Sequence, residues 1–262
     1  MFKTLTHLYG NRTGQKFLER IVRKSLLYMG VGSGDDVRDS GEDGVLHKLK
    51  ALKTPPYCIF DVGAHQGQYL GLVLAVMAGE DFHVHSFEPS PRVFGALAGV
   101  AKENPRVTAN PFGLGRQRGE YDLFFSTEES GGSLSRRKLD HFGISFSRSE
   151  KVVIDTVDGY CADHGVDTIH LLKADIEGHE MDLLLGAQQM FAKRAIRMAT
   201  FEFGGCNIDT RTFYKDFFYF FRDNGMDLYR ITPSGYLHPL PDYREIDEQY
   251  RTTNFAAIDN RF

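Results

Sequence analysis

The chain has 262 residues, enough for one sizeable α/β domain with decoration and for a core that needs no disulfide staples. A formal net charge of −4 excludes a global electrostatic footprint for nucleic acid, so no nucleic-acid partner is expected. Cys58, Cys161 and Cys206 are far apart and form no C-x-x-C pair, which excludes a disulfide framework or cysteine zinc site and points to a reducing cytoplasm.

The first thirty residues are basic, with Lys3, Arg12, Lys16, Arg20, Arg23 and Lys24 against Glu19. Phe17, Leu18, Ile21, Val22, Leu26 and Met29 recur at helical spacing and predict an amphipathic helix over 15–29. Such a helix packs on the body or on a second subunit, giving a homo-oligomer, or else makes peripheral contact with an anionic membrane. No secretory h-region precedes it. A Gly/Asp/Ser-rich loop follows over 32–44, where Ser40 and Asp43 have the spacing of a helix cap. Val45, Leu46, Leu49 and Leu52 continue as a core-facing helix, stopped by Thr54-Pro55-Pro56.

From there the pattern alternates. Short apolar strands are predicted at 58–62, 83–88, 106–110, 151–157, 168–175 and 198–203, with closing strands at 226–232 and 254–258. Helices are predicted at 68–78, from Pro91 with Ser90 as its cap, at 179–192 and at 213–224. The apolar run around Leu70 to Ala78 is too short to span a bilayer. Residues 113–126 read as a hairpin turning at 115–119, and 130–149 as a polar loop. Alternating strand and helix predicts a doubly wound, mostly parallel α/β sheet, whose ligands bind at the carboxyl ends of the strands.

The motifs fall at those ends. Phe60-Asp61-Val62-Gly63-Ala64-His65-Gln66-Gly67 closes the first strand, and Gly63 and Gly67 allow a sharp turn and close approach to a ligand. His65 stands where a nicotinamide loop needs its second glycine, so a pyrophosphate is disfavoured. A cofactor without phosphates suits the loop better. S-adenosylmethionine is one, its amino acid end able to bond backbone N–H groups and the Asp61 carboxylate. Glu88, 27 residues beyond Asp61, ends the second strand and can accept both ribose hydroxyls. Asn110-Pro111-Phe112-Gly113 ends the third; Phe112 is expected near an adenine. Lys173-Ala174-Asp175-Ile176-Glu177-Gly178-His179-Glu180 crowds ionisable groups at one strand end, where perturbed pKa values are expected. Asp175 or His179 can serve as the base that deprotonates a hydroxyl acceptor. Glu202 ends the next strand; with Asp175 it can contact substrate or hold Mg²⁺, which prefers oxygen ligands.

These residues resemble the FkbM family of S-adenosylmethionine-dependent methyltransferases. The matches are Phe60-Asp61-Val62-Gly63-Ala64, Phe87-Glu88-Pro89, Thr156-Val157-Asp158, Lys173 to Gly178 with Glu180, Leu185-Gly186-Ala187 and Asn254-Phe255. The resemblance implies a class I (Rossmann-like) methyltransferase fold over 55–262, behind a helical N-terminal extension at 1–54. It implies O-methylation of a hydroxyl on a sugar, polysaccharide or glycosylated natural product. It also implies that Asp61, Gly63 and Glu88 bind the cofactor and that Asp175, Glu177 and Glu180 lie at the active site. The residues themselves add His65, Gly67 and Phe112 as expected cofactor contacts and turn Glu177 and Glu180 toward substrate. At His65 the family usually has Asn. The rival expectations are a non-catalytic methyltransferase-like scaffold and a nicotinamide-dependent oxidoreductase.

Overall fold

The computed structural model describes residues 6, 9–34, 36–127 and 131–262; Lys3 of the basic segment and Ser130 at the head of the expected loop lie outside them. In chain order the elements are α1 (Arg12–Tyr28), α2 (Asp43–Ala51), β1 (Tyr57–Val62), α3 (Gln68–Val76), β2 (Phe82–Phe87), α4 (Pro91–Glu103), β3 (Val107–Asn110), β4 (Gly113–Leu114) and β5 (Gly119–Phe125). Next come β6 (Lys138–Leu139), β7 (Ile144–Ser145), β8 (Arg148–Asp155), α5 (Val157–His164), β9 (Leu171–Ala174), α6 (Glu180–Leu185), α7 (Gln188–Ala192), β10 (Met198–Phe203) and α8 (Cys206–Thr210). The chain closes with α9 (Tyr214–Asp223), β11 (Met226–Ile231), β12 (Leu237–Pro239) and β13 (Thr253–Asp259).

Among the described residues the main sheet has eight strands in the order β12-β11-β13-β10-β9-β1-β2-β3. β1, β2, β3, β9 and β10 run parallel, whereas β13 is antiparallel to both β10 and β11. From β1 the chain winds outward through β2 to β3, then returns to build β9 and β10 on the other side. The switch point, and with it the ligand crevice of such a sheet, therefore lies between β1 and β9.

Period-two alternation splits the core between the two faces. Phe60, Leu172, Ala199 and Phe201 point to one side, where they meet the buried Tyr214, Phe217 and Phe221 of α9. Ile59, Leu171 and Met198 point to the other, against Val45, Leu46 and Leu49 of α2 and Leu70 and Val73 of α3. Each fully buried aliphatic side chain of this kind contributes roughly 1.5–3 kcal/mol. The aromatic run of α9 is thus core, with Phe217 stacked on Phe201 at 4.5 Å between ring centres.

Several local expectations change. Residues 113–126 do not make a hairpin, because β8 inserts between β4 and β5 in a separate three-stranded sheet. The 130–149 stretch carries the β6–β7 pair and the start of β8. The helix expected over 179–192 breaks into α6 and α7 at Gly186, where a Cβ would stand 2.0 Å from the carbonyl oxygen of Gly115. Asp158 caps α7, accepting from the N–H groups of Gln189 (2.8 Å) and Met190 (3.0 Å), and its own N–H donates to the Gly186 carbonyl. Two motifs distant in sequence therefore meet in one structural joint. Ser40 does not cap α2; its hydroxyl donates to Glu42 Oε2 at 2.8 Å. Likewise Ser90 precedes α4 without a side-chain cap bond, its hydroxyl donating to Glu150. Helix α1 buries none of its residues. No helix among the described residues is long and apolar enough to cross a membrane.

Candidate active site

A cavity of about 1080 Å³ opens at the carboxyl ends of β1, β2, β9 and β10. Gly63, His65, Glu88, Asp175, Glu177, His179 and Glu202 all line it, so the strand ends named from sequence converge on one space.

The turn after β1 forms the floor. Gly63 has φ +83°, and a Cβ there would stand 1.8 Å from the Asp175 carbonyl oxygen. Only glycine tolerates both the left-handed backbone and that contact. The N–H groups of Gly63 and Ala64 donate to the Phe87 carbonyl, tying the turn to β2. His65 also adopts positive φ (49°), which directs its N–H to Glu88 Oε2 at 3.0 Å. The other Glu88 oxygen accepts from the Ser90 N–H at 2.8 Å. Burial pushes the Glu88 carboxyl up, and these two bonds oppose that only in part. Each oxygen keeps a lone pair for a further donor. Gly67, at φ +93°, passes the chain into α3.

Three expected cofactor residues, Gly67, Phe112 and Asp61, lie off the cavity. Phe112 packs behind the wall on Phe87 and Tyr160, and Gly113 and Leu114 take its place at the surface. Asp61 is fully buried, with no hydrogen bond to either oxygen among the described residues. Its partner is the buried Lys173, whose Nζ lies 3.7 Å from Asp61 Oδ1 and 3.1 Å from Asp175 Oδ2. Asp61 meets the cavity only through that ammonium.

Glu42, which the sequence reading passed over, completes this cluster. It comes from the segment before α2, is buried, and lines the cavity. Burial raises its carboxyl and Lys173 draws it back only partly. Burial also works against the Lys173 ammonium, but Asp175, Asp61 and Glu42 outweigh it and leave its pKa raised. Three carboxyl groups thus surround one cation. Tyr69 borders the same spot, its hydroxyl buried and without a hydrogen-bond partner among the described residues. The signal that could have revealed Glu42 is an acidic residue in a glycine-rich loop directly ahead of a buried helix.

The turn after β9 faces the opposite wall. Glu177 has φ +55°, and its Oε2 accepts from Arg137 Nη1 at 2.8 Å and from the Cys206 thiol at 3.0 Å. Glu180, expected to meet substrate, instead turns inward. It is buried, and its Oε1 accepts from the N–H groups of Ile176 and Gly178, both at 3.0 Å. It shapes the turn rather than touching the cavity, and burial raises its pKa to about 7. His179 reaches the cavity with both ring nitrogens engaged, Nδ1 to Asp182 at 2.8 Å and Nε2 to Ser135 Oγ at 3.0 Å.

Glu202 differs. The β9–β10 register pairs Ala174 with Phe201, so Asp175 and Glu202 emerge side by side. The Glu202 carboxyl makes no hydrogen bond or ion pair among the described residues, and the residue lines the cavity. Burial, then the neighbouring Asp175, Glu177 and Glu180, push its carboxyl well above the usual range. No group of three or more His, Cys, Asp or Glu side chains among the described residues is placed to hold a metal ion, so Mg²⁺ at Asp175 and Glu202 gains no support.

Strand order, switch-point cavity and an acidic residue after β2 define a class I, Rossmann-like methyltransferase. The Methyltransferase FkbM domain profile matches residues 61–228, well over half of the chain, and the chain belongs to that S-adenosylmethionine-dependent family. This membership displaces the nicotinamide reading. Among solved structures the chain is similar to a methyltransferase FkbM from Methylobacillus flagellatus KT, at 17% identity and TM-score 0.47, covering 76% of this chain and 43% of that one. It thus spans less than half the length of that protein. It is also similar to fibrillarin from Aeropyrum pernix with natively bound S-adenosyl-L-methionine (13% identity, TM-score 0.41, 83% and 76% covered). A third is the plantazolicin methyltransferase BpumL in complex with SAH (9%, 0.45, 98% and 93%). No curated protein matches the chain significantly.

Proposed function

We propose that this protein O-methylates a hydroxyl of a sugar, polysaccharide or glycosylated natural product. The observation that carries this reading is Glu202, an unbonded carboxyl at the cavity wall beside Asp175. A hydroxyl is a poor nucleophile until a base takes its proton, and a base works best with a pKa near the working pH. Burial among carboxylates moves Glu202 in that direction. Asp175, paired with Lys173, serves to orient the acceptor. His179 is committed to Asp182 and Ser135 and so is less available as the base. Around them Glu177, Arg137 and Arg251 give that wall donors and acceptors suited to a polyhydroxylated acceptor.

The remaining residues fit S-adenosylmethionine, whose sulfonium supplies the electrophilic methyl group when bound. Glu88 accepts the ribose hydroxyls while the His65 and Ser90 N–H groups hold it in place. The acidic surplus of Glu42, Asp61 and Asp175 over Lys173 receives an α-ammonium group, with Glu42 and Asp175 at the surface. Gly63 keeps the β1 turn low enough for a ligand to lie across it. With acceptor and methyl donor held in line, positioning accounts for much of the rate.

The test is transfer of an isotopically labelled methyl group to glycans from the native host, read by mass spectrometry. The expected result is a one-methyl increment on a hydroxyl. Label found only on nitrogen or carbon acceptors would sink the reading.

A further inference from the structure

We infer that α1 docks the protein on an anionic lipid bilayer. This reaches beyond methyl transfer, because it concerns a segment outside the cavity.

The helix is well made. Asn11 caps it, the side chain accepting from the Gly14 N–H at 3.0 Å, and it then runs without a break from Arg12 to Tyr28. Yet none of its residues is buried. Phe17 is 51% exposed and Val22 54%, and Leu18, Ile21, Tyr28 and Met29 are exposed with them. At 3.6 residues per turn these six share one face, while Arg12, Lys16, Arg20, Arg23 and Lys24 occupy the other. An apolar stripe left in water opposite a basic face is the pattern of a helix lying in the plane of a membrane surface.

Charge selects the occupant. The five basic residues against Glu19 give the helix +4 within a chain of formal net charge −4, leaving −8 on the remainder. An anionic surface attracts the helix and repels the body, which orients the molecule. A second copy joined through this face would instead bring two cationic helices together.

The helix is fastened where docking has consequences for the site. Arg230 Nε donates to the Met29 carbonyl at 2.8 Å, and the Gly32 N–H donates to Thr252 at 2.9 Å. Gly30, at φ +93°, lies so close to β11 that a Cβ would meet the Ile231 carbonyl oxygen at 2.2 Å. From there the chain runs through Val37 and Glu42 into the cavity wall. A helix seated on the bilayer therefore places the active-site rim near acceptors held at that surface.

The test uses the full chain with phosphatidylcholine vesicles, with and without phosphatidylglycerol, read by flotation. At least tenfold more protein should float with the anionic vesicles, and added salt should reduce this. The triple substitution Phe17→Ser, Ile21→Ser, Val22→Ser should abolish flotation without changing calorimetric affinity for S-adenosylmethionine, since none of those side chains is buried or lines the cavity. Absence of wild-type flotation, or unchanged flotation of the triple variant, overturns the proposal. So does a wild-type dimer by light scattering that becomes monomeric in the triple variant while neither form floats; that face would then belong to a second copy.

Discussion

Gly63 and Asp175 meet across the switch point of the sheet, so close that a single methyl group on Gly63 would stand 1.8 Å from the Asp175 carbonyl oxygen. The turn after β1 and the turn after β9 are thereby one mechanical unit. Gly63→Ala adds that clash to a left-handed backbone, which itself costs a residue with a side chain about 1–2 kcal/mol. The variant should lose at least about 2 kcal/mol of stability, and its surviving folded fraction should bind S-adenosylmethionine poorly. Thermal unfolding and calorimetry measure both; a wild-type melting temperature would show that the turn yields easily.

Glu88 is held by two backbone N–H groups, so its position does not depend on a side-chain neighbour. Hydrogen bonds to charged groups contribute about 1.5–3 kcal/mol each. Glu88→Ala should weaken S-adenosylmethionine about a hundredfold or more by isothermal calorimetry. Glu88→Gln, which keeps an acceptor oxygen, should lose less. Unchanged affinity in both variants would remove Glu88 from the ribose site.

For Glu202 the prediction concerns pH. Burial first, and then Asp175, Glu177 and Glu180, raise its carboxyl well above the ordinary value. A base must be deprotonated to act, so kcat/KM should rise with pH through that raised pKa. The acid limb should lie well above about 4.3, where an unperturbed glutamate titrates. Glu202→Gln should erase the limb and lower kcat by about 10²- to 10⁴-fold while cofactor affinity holds. An acid limb that survives in Glu202→Gln would pass the role to Asp175.

Glu180 makes the same electrostatics visible in stability. Its folded pKa is raised to about 7 by burial, although the Ile176 and Gly178 N–H groups pull it down. A carboxyl raised on folding favours the native state while protonated. That contribution is complete below its unfolded value and fades as pH climbs through about 7. The wild-type melting temperature should therefore decline over that interval. Glu180→Gln keeps the Oε1 acceptor and should flatten the decline; an identical slope would show that Glu180 is not its source.

The fold was legible because buried parallel strands are short apolar runs and the helices between them are periodic: 198–203 is a strand as read, and 58–62 and 226–232 differ by one residue at one end. The strand ends were legible because glycines and acids cluster where a ligand meets backbone. What escaped was long-range. Nothing local in Gly113 to Ser126 announces that β8 will come between β4 and β5. Glu180 and Phe112 carry the residue types of a site yet turn into the protein, since period and propensity do not say which way a turn residue points. The Asp158–Gly186 joint shows that matching motifs can be structural as readily as chemical.

Glu42 tests whether the leading segment belongs to the cofactor site. It lies outside the residues matched by the family profile, yet it shares Lys173 with Asp61 and Asp175 and lines the same cavity. If its carboxylate faces the α-ammonium of the cofactor, Glu42→Gln should weaken S-adenosylmethionine about tenfold, the loss of one charge-assisted contact. The comparison that separates this from simple loosening of the fold is 5′-methylthioadenosine, which keeps the adenosine but has no amino acid end. Its affinity should be unchanged. A parallel loss for both ligands would make Glu42 a packing residue of the N-terminal segment, and no loss for either would leave the ammonium to Asp175 alone.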